Sequence, residues 1–177
     1  MVDLRDATPD DADAIAAVHV ASWQVAYRGL LPDEILDGLS VPDRARIWAE
    51  RLGATPPRSK TLLVADRTGV LGFAASGPAL DVDDDPTAGE LYAIYLDPRA
   101  WGRGHGARLH AGVLEHLRGA GFTQACLWVL DANERALRFY RRRGWAETGE
   151  SKVDRDLGGD VALHERRLRR AVPPGRA

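Results

Sequence analysis

Gly89-Glu-Leu-Tyr-Ala-Ile-Tyr-Leu-Asp-Pro-Arg-Ala-Trp-Gly-Arg-Gly-His-Gly106 is the stretch that decides the fold. Glu90 to Leu96 reads as a buried strand, Asp97 and Pro98 as a turn, and the glycines as a bend that opens a helix at about Gly104. A helix entered through glycines presents unpaired main-chain N–H groups and the positive end of the helix dipole, so a phosphate can sit there on backbone alone. The candidate cradle runs through Trp101, Gly102, Arg103, Gly104, His105, Gly106 and Ala107. Glycine at 104 and 106 keeps side chains away from the anion and tolerates positive φ.

Gly102, Gly104 and Ala107 also satisfy the dinucleotide fingerprint G-x-G-x-x-A. That fold, however, puts its first glycine directly after a first strand and an acidic residue at the tip of the next. Here Asp97 to Trp101 intervene and the strand lies mid-chain.

Downstream of the bend, Leu109, Val113, Leu114 and Leu117 share one helical arc, and Gln124 to Leu130 is apolar on both faces, as a central strand is. A right-handed helical crossover makes it the parallel neighbour of Glu90 to Leu96. Asn133 caps a further helix in which Ala136, Leu137 and Tyr140 line one side. Arg141, Arg142 and Arg143 suit its negative end. Trp145 to Thr148 and Val161 to Arg167 form a last pair of strands, and residues 171–177, AVPPGRA, read as a disordered tail.

Upstream, Val2 to Arg5 is a short strand, and Thr8-Pro9-Asp10-Asp11 starts a helix that ends near Gly29. Its face carries Ile15, Val18, His19, Ser22, Trp23 and Ala26. Shorter helical pieces begin at Pro32 and Pro42, and Thr61 to Asp66 forms a hairpin with Val70 to Ser76. Asp81 to Pro86 is an acidic loop, read as a solvated connection or as a lure for a cationic amine.

The chain has 177 residues, 45% of them hydrophobic, and a net charge of −2. One domain with a real core follows, and no general basic field for nucleic acid. No run of eighteen apolar residues suggests a membrane span, and the acidic start lacks a secretory pattern, so a cytoplasmic setting is expected. Cys126, the single cysteine, sits in an apolar run and reads as a core thiol.

Two stretches resemble the GNAT superfamily of acyl-CoA N-acyltransferases. Ile94-Tyr95-Leu96-Asp97-Pro98 and Trp101-Gly-Arg-Gly104-His-Gly106 are similar to its I-x-V-x-P strand and Q/R-x-x-G-x-G/A motif, with Trp101 where the family has Gln or Arg. Asn133, Ala136, Tyr140 and Gly144-Trp145 follow its N-x-x-A-x-x-x-Y-x-x-x-G-F pattern, with Trp for Phe. The resemblance implies an α/β (α+β) domain over residues 1–170. Its mixed, mostly antiparallel sheet would be flanked by helices, with a central parallel pair splayed apart.

It further implies N-acetyl transfer from acetyl-CoA, without a metal, to a primary amine of a small molecule, a polyamine or an amino terminus, the small-molecule and polyamine-type branch being the nearest in pattern. Ile94, Tyr95, Leu96, Asn133 and the glycine bend would hold the cofactor, and the Leu96 N–H would face the developing oxyanion. Tyr140 would be the acid beside the sulfur. Glu90, six residues before Leu96, stands where the histone-acetylating branch has its base. Strand alternation would put Glu90, Tyr92, Ile94 and Leu96 on one face, with roughly 20 Å between the ends, so Glu90 would act through water. Trp23, Tyr27, Tyr92 and Trp48 are acceptor-wall candidates. A homodimer stays open as a partner, and the alternative function is a CoA-binding sensor without turnover.

Overall fold

In the computed structural model, which describes residues 2–80, 85–155 and 162–173, apolar segments alternating with turn residues build one seven-stranded sheet. Its strands are β1 (Asp3–Asp6), β2 (Lys60–Asp66), β3 (Gly69–Pro78), β4 (Ala88–Leu96), β5 (Gln124–Leu130), β6 (Ala146–Asp154) and β7 (Leu163–Ala171). They lie in the order β1-β2-β3-β4-β5-β7-β6. The pairings are antiparallel except β4 with β5, which are parallel. This is the mixed, mostly antiparallel sheet expected above.

Helices α1 (Ala12–Ala26), α2 (Asp33–Asp37) and α3 (Val41–Gly53) fill the β1 to β2 connection. Helix α4 (His105–Gly119) crosses from β4 to β5, and α5 (Glu134–Arg141) follows β5. The apolar stripe of α4 is fully buried: Leu109, Val113 and Leu117 have no exposed surface and pack with Leu62, Leu127 and Leu168. On the opposite face, Ile15, Ala16 and Trp48 close over Leu63, Phe73 and Ala75. Side chains of that size contribute about 1.5–3 kcal/mol each on burial.

The parallel pair is short. Only Ala88, Glu90 and the residue between them register with Gln124 to Cys126, while β4 continues to Leu96 and β5 to Leu130. Past Cys126 the two strands part, which opens a gap in the middle of the sheet.

A register slip in β4 overturns the one-face reading of Glu90, Tyr92, Ile94 and Leu96. Ala93 pairs with Ala75 but Leu91 pairs with Ser76, so Tyr92 is an extra, bulged residue. In consequence Leu91, Ile94 and Leu96 all point into the α4-side core, and Glu90 lies across the sheet from Leu96.

Other boundaries moved as well. Pro9–Asp11 forms a 3-10 turn, with the Thr8 N–H donating to Asp11, before α1 begins at Ala12 and ends at Ala26 rather than near Gly29. β7 runs on to Ala171 because its residues from Glu165 register with β5. Val172 is 4% exposed and its N–H donates to Thr123, so order extends past residue 170 where a disordered tail was expected. Asp81, Asp83 and Asp84 of the acidic loop, and Val161 at the expected start of the last strand, lie outside the described residues.

Candidate active site

Parallel strands deliver their carboxyl ends, and the turns after them, to one edge of the gap. After β4, Asp97 accepts from the Arg99 N–H and guanidinium, which hold its carboxyl below the usual range and fix the turn. Trp101 then folds back so that its indole N–H donates to the Leu96 carbonyl at 3.0 Å. Gly104 caps α4 with φ +83°, a left-handed conformation that side chains disfavour, and a Cβ there would meet open space. Gly106 is glycine for a different reason: a Cβ would press on Leu96 and Phe139 at 3.3 Å.

The first intrahelical bond runs from Arg108 to Gly104. The N–H groups of Gly102, Arg103, Gly104, His105, Gly106 and Ala107 therefore have no acceptor among the described residues. Six consecutive free amides at a helix N-terminus suit a diphosphate. The chain thus fits the nucleotide end of an acyl-CoA without needing a side chain.

Further along the gap, Asp97 donates to the Leu71 carbonyl. In an antiparallel ladder neighbouring residues point their backbone groups to opposite sides, so the Leu96 N–H faces away from β3 and into the gap. Ile94, two residues earlier, does the same. The side chains of both lie in the core, so only their backbones face the gap.

Tyr140 is 8% exposed and packs edge-on against Phe139 and Trp145 on the α4 side. Its hydroxyl has no hydrogen-bond partner among the described residues. Burial, then the Tyr95 hydroxyl, push it well above the ordinary phenol range. Tyr95 belongs to the other face, stacked on His19 at 4.8 Å. Trp23 and Tyr27 meet edge-on at 4.9 Å beside it. Tyr27 is pushed up by burial, then by Tyr95 and Tyr140. Tyr140 on one face and Tyr95 and Tyr27 on the other thus lie within electrostatic reach of one another.

Asn133 spends its side-chain oxygen on the Ala136 N–H, the N-cap bond expected of it, and leaves its amide NH2 available. Trp48 is 2% exposed and donates to His19, so it is core rather than acceptor wall. Tyr92 stands apart from Trp23 and Tyr27: its hydroxyl donates to the Pro78 carbonyl, and burial pushes it up to about 12. Glu90, 6% exposed, accepts from the Leu80 N–H at 3.0 Å.

Two groups went unnoticed in the sequence. Arg167 is 4% exposed, pairs with Glu150 at 2.6 Å and meets Cys126 Sγ at 3.4 Å. A charge alternating with Leu168 in a strand was the available signal. Arg135 lies over the Trp101 ring, 3.5 Å from its centre, and no local pattern announces a contact between two separate turns. Among the described residues no three His, Cys, Asp or Glu side chains gather as a metal site would require. No helix there is long and apolar enough to cross a membrane.

The model of the acetyltransferase (GNAT) family matches residues 23–145, which contain both the gap and the two turns. The chain belongs to the GNAT family. An uncharacterized N-acetyltransferase of Bacillus subtilis, YuaI, is 34% identical over 75% of this chain and 74% of its own. Mycothiol acetyltransferase of Mycobacteroides abscessus is 34% identical over 77% of this chain, which spans only 42% of that protein. The GNAT fold is seen in the Thermoplasma acidophilum PaiA N-acetyltransferase in complex with coenzyme A (TM-score 0.71, 16% identity, 97% of this chain and 99% of that one). It is seen again in yncA, a putative acetyltransferase of Salmonella typhimurium, with acetyl-CoA (TM-score 0.72, 16% identity, 100% and 97%).

Proposed function

We propose that this GNAT protein moves an acetyl group from acetyl-CoA to the primary amine of a small molecule, by direct attack while both are bound. One observation supports this reading above others: among the described residues the six amides of the α4 bend have no acceptor, and that bend follows the strand which parts from β5. When bound, acetyl-CoA supplies an activated thioester carbonyl.

The residues of the chain would divide the remaining work. Amides 102–107 hold the diphosphate, and the backbones of Ile94 and Leu96 with Asn133 align the pantetheine arm. The Leu96 N–H donates to the carbonyl oxygen as negative charge develops there. Tyr140 stays protonated and donates to the departing sulfur. Because a phenol with a raised pKa is a weaker acid than a thiol near 8.5, hydrogen bonding describes that role better than full proton transfer. Glu90 takes the amine proton through water, while Trp23, Tyr27 and Tyr95 wall the acceptor side.

An acyl-enzyme has no support. Cys126 is buried, and its thiol is pushed up by that burial, which leaves little thiolate. Initial-rate kinetics with an amine panel, following free thiol, test the reading. Intersecting, sequential patterns are expected. Parallel, ping-pong lines would exclude direct attack, and CoA binding with no thiol release from any amine would favour a sensor.

A further inference from the structure

Trp101 immediately precedes the six free amides, yet its own side chain offers a diphosphate nothing polar. The indole N–H is already given to the Leu96 carbonyl. What lies on its ring is the Arg135 guanidinium, 3.5 Å from the ring centre. Cation–π stacking of that closeness orients a guanidinium without consuming its N–H donors.

Four of the neighbouring arginines are engaged elsewhere, while Arg103 and Arg142 carry no ion pair among the described residues. Arg138 faces Glu134, Arg141 pairs with Glu147, Arg99 holds Asp97, and Arg143 donates to the Phe139 carbonyl while lying over the Phe139 ring. Arg135 has neither a carboxylate nor a hydrogen-bond partner among the described residues, and its guanidinium lies on the Trp101 ring. Partial burial lowers its pKa somewhat, so a neighbouring anion would be favourable. The topology explains the meeting: the turns after β4 and β5 emerge side by side because those strands are parallel.

We propose that Arg135, held by Trp101, is a binding residue for the diphosphate of the acyl donor. It would add from α5 a positive charge beside the α4 bend, held in place by the Trp101 ring. This assignment rests on the acetyl-CoA reading of that bend. It gives Trp101 a definite task, that of aiming a cation contributed by another turn.

The test is titration calorimetry of the full chain with three probes: CoA, 3′-dephospho-CoA, which keeps the diphosphate, and pantetheine, which carries no phosphate. Arg135→Ala should weaken CoA and dephospho-CoA alike, by about tenfold for a lost charge-assisted bond. It should leave pantetheine binding and the melting temperature unchanged, since Arg135 is exposed and alanine favours helix. Arg138→Ala, at a residue already facing Glu134, should bind all three probes as wild type does.

Undiminished CoA affinity in Arg135→Ala overturns the assignment. So does a loss confined to CoA, which would mean that the cation reads the 3′-phosphate, and so does an equal loss in Arg138→Ala, which would mean a diffuse field. Wild-type protein that takes up no CoA overturns the donor site itself, and Arg135 with it.

Discussion

Trp145 donates its indole N–H to His110 Nε2 at 2.8 Å inside the α4-side core. Trp48 does the same to His19 Nδ1 at 3.2 Å on the other face. Each bond needs the histidine lone pair, so neither ring can take a second proton without losing its partner. Burial, followed by nearby arginines, lowers His110 to about 4 and His19 to about 3.

The sign of the pH effect follows from this. Between pH 6.5 and about 4 the unfolded chain binds protons that the folded chain refuses, so stability falls as pH falls. Urea unfolding at pH 7.5 and pH 5 should show a lower midpoint at pH 5. In His110→Gln, whose amide can still accept from Trp145, the pH dependence should shrink. An unchanged slope in that variant would remove His110 as its source.

Tyr140→Phe deletes a hydroxyl without a partner, so folding should be little affected. Turnover should drop roughly tenfold, as for a lost donor in the transition state, with the acetyl-CoA dissociation constant nearly unchanged. Because burial keeps the phenol protonated, the wild-type rate profile should have no alkaline limb from Tyr140 below pH 10. Wild-type turnover in the variant would strike Tyr140 from the reaction.

Gly104→Val forces a β-branched side chain into a left-handed conformation at the N-cap of α4. The strain, about 1–2 kcal/mol, should lower the melting temperature by a few degrees, and the altered bend should weaken CoA binding tenfold or more. Gly106→Ala should behave differently. It presses on Leu96 and Phe139, so stability is expected to suffer along with affinity. Intact CoA affinity in Gly104→Val would count against the amide cradle.

Glu90→Gln keeps a side-chain oxygen for the Leu80 N–H and replaces the charged carboxylate by a neutral amide. If Glu90 accepts the amine proton through water, the rate should fall at neutral pH and recover as the amine deprotonates unaided at higher pH. A uniform loss at every pH would point instead to the Leu80 contact, and no loss would retire Glu90 as base.

Much of the site is legible in local pattern. The order of strands and helices, the glycine bend, and Asn133 as an N-cap depend on residues within a few positions of one another, so periodicity and capping chemistry identify them. The length of β7 was less legible: Leu168 to Ala171 carries it past the expected end at Arg167, because β5 and β6 claim its two edges there.

What the chain determines by itself is where a helix must begin at unpaired amides, because glycine conformation and helix polarity are properties of a single segment. The tertiary structure alone decides that Tyr92 bulges and sends Glu90 to the face opposite Leu96. It alone brings Tyr140 within electrostatic reach of Tyr95 and Tyr27, and lays Arg135 on Trp101. Those relations join segments far apart in sequence, and strand register and packing, which no local period encodes, select them.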